Sequence, residues 1–197
     1  MRTLLKTKKI IQVIHYIVSC LDNIDKIKII KLIYLADKYH CIHYGRTVTR
    51  DDYYAMRLGP VASTVKNVLD LDEISLSSPE YEYATKLIEK SGYDIYSYIT
   101  KNKEQLDYDM LSESDIEALD FVINCFGNKT NFELSEYTHK YPEWYQHEEL
   151  FEKQPNARGD IELFELVSLI NNDDPIGEGL TSEQIEQSKL MLIGDFS

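Results

Sequence analysis

The one cluster of metal-ligating residue types in the sequence is His40-Cys41-Ile42-His43. On a helix, His40 and His43 would lie one turn apart, close enough to share an ion. Zinc needs four ligands, or three and a water, and no second Cys/His pair is present to complete such a site. Polar residues at the end of a buried helix are the expected alternative. Asp37 stands three residues before His40, so an Asp–His pair for general-base chemistry is a second candidate. A carboxylate on a buried helix must be hydrogen-bonded or paired, and a loop backbone or Arg57 is the expected structural partner. Gly59-Pro60 would present amide groups at a helix start, which falls far short of a phosphate-binding loop. The carboxylate pairs Asp51/Asp52, Asp107/Asp109 and Asp173/Asp174 are expected on loops, in solvent. The sequence has no nucleophile elbow, dinucleotide fingerprint or metalloprotease helix motif. No metal or cofactor is expected, and nothing in these residues demands an enzyme.

The element that must position them runs from Asp25 to about His43. Ile27, Ile30 and Tyr34 recur at helical spacing, as do Ile29, Ile33 and Ala36, while Leu32, Leu35 and Tyr39 fill a third side. A surface helix shows one apolar stripe, so a helix apolar almost all round is meant to be wrapped by others. Asp25 can cap its amino end, and Gly45 can stop it in a left-handed turn. Such a rod is about 27 Å long. Lys26, Lys28, Lys31 and Lys38 rule it out as a membrane span.

Around that rod the spacing predicts a first helix over residues 4–21, joined to it as an antiparallel hairpin through Asp22–Ile24. Asp52–Arg57 reads as a short strand, followed by a helix from Pro60 to about Leu71. Residues 72–92 are irregular, with a short helix around Tyr83, Leu87 and Ile88. Ile95–Ile99 and Leu106–Met110 read as a β-hairpin. Ser112 or Ser114 and then Thr130-x-x-Glu133 begin two further helices. A short helix follows Pro142, and Thr181-x-x-Gln184 caps the last one. The expected fold is mainly α (α+β), a helical domain around a central buried helix with a small antiparallel β-sheet or hairpin. Residues 1–155 are expected to form the main domain and 156–197 a C-terminal helical extension packed on it.

At 197 residues, 43% hydrophobic and 28% charged, the chain has the composition of an ordinary globular domain. No leading apolar segment with a small-residue cleavage site is seen, so export is not expected. Cys20, Cys41 and Cys125 are odd in number and far apart, which reads as reduced thiols in a cytoplasmic protein. The net charge of −13 is uneven: residues 1–50 carry ten Lys/Arg against three Asp/Glu, and residues 51–197 carry eleven against thirty-one. A chain this acidic repels a phosphate backbone, which makes nucleic acid an unexpected ligand, whereas a basic protein partner would be attracted. Charge of this kind also serves plain solubility. Fifteen tyrosines are present, several clustered. Tyrosine is enriched at protein interfaces. Tyr53, Arg57, Tyr81, Tyr83, Tyr96 and Tyr98 are therefore the candidate partner-binding residues, with rim-of-core packing the alternative for the tyrosines.

Three stretches carry a family likeness. Lys31-Leu32-Ile33-Tyr34-Leu35-Ala36-Asp37, then Tyr44-Gly45-Arg46, then Met56-Arg57-Leu58-Gly59-Pro60-Val61 resemble the signature of the Panacea domain of SocA-like and phage-associated GepA-like antitoxins. Leu134-Ser135-x-x-Thr138-His139 followed by Pro142-x-Trp144 resembles that domain's second half. The likeness covers about residues 10–150. It implies an antitoxin that neutralises a cognate toxin by direct protein–protein binding, without chemistry of its own. The toxin implied is encoded by the adjacent gene and blocks translation, for instance a nucleotide-synthetase-like enzyme acting on tRNA. Delivery of the toxin to a protease is the alternative. Asp37, Gly59, Pro60, Thr138, His139 and Trp144 would be framework residues. Partner choice would lie in residues 72–110 and the tail. A homodimer and a toxin–antitoxin hetero-oligomer both stay open.

Overall fold

The protein is described by a computed structural model covering residues 2–91, 97–101 and 107–194. It is mainly helical, with two three-stranded antiparallel sheets among the described residues. Helix α1 (Arg2–Leu21) ends in Asp22 and Asn23, both at positive φ, which turn the chain into the two-residue strand β1 (Ile24–Asp25). Helix α2 (Lys26–Tyr44) follows at once. The Asp25 side chain accepts a hydrogen bond from the Lys28 amide, and Gly45 (φ 65°) closes the other end by donating to the Cys41 carbonyl. Every residue of α2 from Ile29 to Ile42 is buried. Burying each large apolar side chain contributes about 1.5–3 kcal/mol, so α2 holds the core together and the other elements are arranged around it.

The chain then runs through Thr47–Asp52 into strand β2 (Tyr53–Met56), turns at Arg57-Leu58 and returns as β3 (Gly59–Ala62). The helix expected from Pro60 to about Leu71 therefore starts three residues later, at Ser63, and Pro60 itself lies in a strand. Gly59 adopts φ 106°, a conformation costly to other residues, and sends Pro60 back along β2 opposite Ala55. Strand β3 is an edge of the sheet β3-β2-β6, where a residue without an N–H is tolerated. Helix α3 (Ser63–Asp70) starts only after it, and its cap is remote. Asp51 Oδ2 accepts from the amides of Thr64 (2.7 Å) and Val65 (3.0 Å). Asp51 is buried, not solvated as expected. So is Asp174, which accepts from the amides of Ile170 and Ile176 and from the Tyr137 and Tyr141 hydroxyls.

Helix α4 (Ser78–Leu87) carries a Ser77/Glu80 capping box and runs into strand β4 (Ile88–Lys90). Strand β5 (Ser97–Thr100) pairs with β4 on one side and with β1 on the other. The hairpin expected between Ile95–Ile99 and Leu106–Met110 is therefore corrected where it is described: residues 107–110 form no strand, and β4 is the true partner. Residues 95, 96 and 106 lie outside the described residues.

Helices α5 (Glu113–Phe126) and α6 (Asn131–Thr138) begin at the capping boxes of Ser112 and Thr130. Short helices α7 (Pro142–Tyr145) and α8 (Glu148–Lys153) follow. Residues 159–161 form a strand, β6 (Gly159–Ile161), that pairs with β2, so the tail contributes sheet as well as helix. Two 3-10 turns and helix α9 (Ser182–Gly194) complete the chain, and Leu166, Ile176 and Leu192 are buried in the common core.

Candidate functional site

Two polar clusters sit on α2, and both hold other elements against it. Asp37, fully buried, accepts from the Thr49 amide (2.9 Å), from the Thr49 hydroxyl and from the Tyr53 hydroxyl (2.7 Å). Its partner is thus a loop backbone and two hydroxyls, and Arg57 takes no part. Burial pushes the Asp37 carboxyl up to about 6, against the pull of its hydrogen bonds. The next residue, Lys38, is buried with Glu143 (2.7 Å), and its ammonium also donates to the Leu166 carbonyl (2.9 Å) and the Ser168 hydroxyl (3.0 Å). Tyr34 donates to the same Glu143 carboxylate. Burial lowers the Lys38 pKa, and Glu143 works against that shift.

The hairpin turn is fastened from below. Trp144 donates its indole N–H to the Met56 carbonyl (2.7 Å) and stacks on His139 with ring centroids 3.6 Å apart. The His139 ring also bonds the Leu58 backbone, and burial lowers its pKa. A Cβ added to Gly59 would stand 2.6 Å from Lys31 Nζ and 2.8 Å from Thr138 Oγ1, so only glycine lets the strand approach α2 and α6 this closely. Lys31 donates to the Pro60 carbonyl (2.9 Å) and is 1% exposed. Burial alone pulls its pKa down to about 7.

Beside this turn lies a cleft of about 560 Å³. Ile27, Ile30, Met56, Leu58 and Val61 give it apolar walls, and Lys26, Lys31, Arg57 and Lys66 line it with cations. Lys26 and Lys66 both pair with Asp70.

The candidate metal and acid–base residues do not converge. Nδ1 of His40 donates to the Arg46 carbonyl (2.7 Å) and Nε2 faces the Ser114 hydroxyl (3.1 Å). Burial pulls the His40 pKa down to about 4, so the ring is neutral. His43 donates through Nε2 to the Ile176 carbonyl (2.9 Å) and stacks on Tyr39. Among the described residues no group of three or more His, Cys, Asp or Glu could hold a metal ion.

Of the six candidate partner-binding residues, Arg57 is exposed on the turn. Tyr53 and Tyr98, each 2% exposed, are core residues: one is spent on Asp37, and the other donates to the Leu69 carbonyl (2.6 Å). Neither can reach a partner. Tyr81 and Tyr83 are half-buried on α4, with the Tyr83 hydroxyl held by Gln12. Tyr96 lies outside the described residues. Of the expected framework residues, Asp37, Gly59, Pro60, Thr138 and Trp144 are buried and His139 is half-buried.

Sequence reasoning did not single out Lys31 or the Lys38–Glu143 pair. The signal was present, because lysines on a helix that is apolar on nearly every side cannot all reach solvent.

The arrangement built here is a helix-centred scaffold in which a tight hairpin and its flanking cleft are rigidly mounted. Its motif residues coincide with a known family: the chain belongs to the antitoxin SocA-like, Panacea domain family, whose model matches residues 29–145. No curated protein and no solved structure matches the chain. No described helix is long and apolar enough to cross a membrane.

Proposed function

We propose that this chain neutralises a cognate toxin by binding it directly and covering its active or substrate-binding surface. The observation that carries this reading is the family match over residues 29–145. The geometry agrees in kind. Within the matched region, Asp37, Lys38 and His40 all spend their polar atoms on internal partners, and Glu143 joins them. Residues spent in this way brace a scaffold that can present a binding surface.

The toxin best suited to the net charge of −13 is basic, as an enzyme that handles tRNA would be, and long-range attraction would speed encounter at low salt. The outward residues available for contact include Arg57 and Leu58 on the turn, with Tyr81 and Tyr83 at a half-buried rim. Growth arrest by the product of the neighbouring gene should be relieved when this chain is co-expressed, and the two proteins should co-purify. In a purified translation reaction, added antitoxin should restore synthesis without any protease. Relief in cells but none in the purified reaction would favour delivery to a protease over occlusion. A toxin that neither binds nor is relieved would end the proposal.

A further inference from the structure

On a chain of net charge −13, the cleft beside the hairpin turn is an island of opposite sign. Four cations line it. Lys26 and Lys66 share Asp70, but among the described residues no carboxylate stands within salt-bridge distance of Lys31 or Arg57. Lys31 is the more unusual of the two. Its ammonium has three N–H groups to place, and the Pro60 carbonyl is its acceptor. A buried amine with so little compensation gives up its proton readily, and a nearby anion would favour its charged form. Arg57, exposed on the turn, offers the planar fork that grips a carboxylate in two hydrogen bonds. Between them the walls are apolar, and about 560 Å³ is room for a short peptide segment.

We infer that this cleft is an anchor pocket for an apolar–acidic segment of the protein partner, whose carboxylate is held by Arg57 at the mouth with Lys31 behind it. Arg57, charged at every working pH, and Lys31, whose charged form an incoming carboxylate would favour, suit with these apolar walls a monoanion on a greasy stem. A phosphate dianion would call for more charge than one guanidinium and one buried amine supply, since Asp70 already pairs Lys26 and Lys66. The inference rests on the reading that the chain works by holding another protein, and it adds a register to it. The acidic exterior draws a basic partner from a distance, and one acidic residue on that partner, seated here, fixes its orientation. A cation in that place would be repelled, which is how such a pocket selects.

The test uses the full chain and three probes: N-acetyl-Leu-Glu-Leu-amide, its Gln counterpart, and octyl phosphate. Methyl NMR signals of Ile27, Ile30, Met56, Leu58 and Val61 report occupancy. The Glu peptide should shift these signals in a saturable way and bind at least fivefold more tightly than the Gln peptide or octyl phosphate. Arg57→Glu, on an exposed turn, should abolish the shifts, and Lys31→Met should weaken binding at least threefold. Glu82→Lys, on the exposed side of α4, should leave binding unchanged. No shift with the Glu peptide, equal binding of the Gln peptide, preference for octyl phosphate, or unaltered binding in both pocket variants would each overturn the inference. Toxin relief in cells is scored separately. If Arg57→Glu and Lys31→Met still relieve the toxin, the pocket is wrong and antitoxin action stands. If the wild-type chain gives no relief, the broader reading has failed whatever the peptides do.

Discussion

Replacing Lys31 by methionine should stabilise the protein at neutral pH, and the gain should shrink as pH rises. Lys31 is fully buried, and burial lowers its pKa from 10.5 in an exposed chain to about 7. Between those two values the unfolded chain binds a proton that the folded chain has shed. The wild type therefore gains stability with rising pH across that window, at a limiting slope of about 1.4 kcal/mol per pH unit. At pH 7 the folded state forgoes about 4 kcal/mol to hold this amine in the interior, and at pH 9 about 2 kcal/mol. Methionine fills a similar volume and has no charge to bury. Against this gain stands the lost hydrogen bond to the Pro60 carbonyl, worth about 1 kcal/mol. The variant should thus exceed the wild type by about 3 kcal/mol at pH 7 and about 1 kcal/mol at pH 9. Urea unfolding of both proteins at pH 7, 8 and 9 measures this directly, because titrating groups that do not interact with Lys31 cancel in the difference. A gap that does not change with pH, or a wild type more stable at pH 7, would refute the claim that Lys31 is a buried and poorly compensated amine.

Four further outcomes follow from the same contacts. Removing the Asp37 carboxylate with Asp37→Ala strands the Thr49 amide and the Tyr53 hydroxyl in the core, and should cost about 3 kcal/mol, read as a Tm drop of roughly 6–12 °C. Trp144→Ala removes both the stack on His139 and the bond to the Met56 carbonyl, and should destabilise by about 3–5 kcal/mol in denaturant unfolding. Glu143→Leu alone strands the buried Lys38 ammonium and should cost about 3–5 kcal/mol, whereas Lys38→Met with Glu143→Leu should recover most of that loss. Gly59→Ala should be destabilising through its positive φ and through the approach of Lys31 and Thr138. Adding Lys31→Ala should recover the part that comes from Lys31 only, which a double-mutant cycle would resolve.

The central helix was legible because its signals are local: apolar residues on every side, Asp25 at one end and Gly45 at the other, and each does in the structure what its chemistry suggests. The capping boxes at Ser112 and Thr130 were legible for the same reason. Pro60 misled because its locked φ suits both a first helical turn and an edge strand. What decides between them is the approach of Gly59 to Lys31 and Thr138, a fact about residues far apart in the chain. Asp51 and Asp174 looked like surface carboxylates because donors far along the chain, the Thr64 and Val65 amides for one and the Tyr137 and Tyr141 hydroxyls for the other, lie beyond any short window. The tyrosines misled in the opposite sense. Tyr53 and Tyr98 have the residue type of an interface but are consumed by internal acceptors, so composition alone could not say which way they face.

The lysines of α2 carry the sharper lesson. Lys26, Lys28, Lys31 and Lys38 were informative as charges that forbid a membrane span, yet a helix enclosed by its neighbours cannot send all four to water. Lys26 and Lys28, near its start, reach Asp70 and the Gly127 carbonyl. Lys31 and Lys38, seven residues apart and so on nearly one face, are driven inward. There they meet different fates: Lys38 finds a carboxylate, two oxygen acceptors and the Tyr141 ring, while Lys31 finds one carbonyl. The first is a finished structural pair. The second is an unfinished one, at the edge of the cleft that the hairpin turn leaves open. A buried charge left short of partners costs stability in the free protein and returns that cost when something arrives to complete it. That difference between two lysines on one helix is the physical reason to look for the partner's contact at the turn and not at the tyrosine-rich stretch.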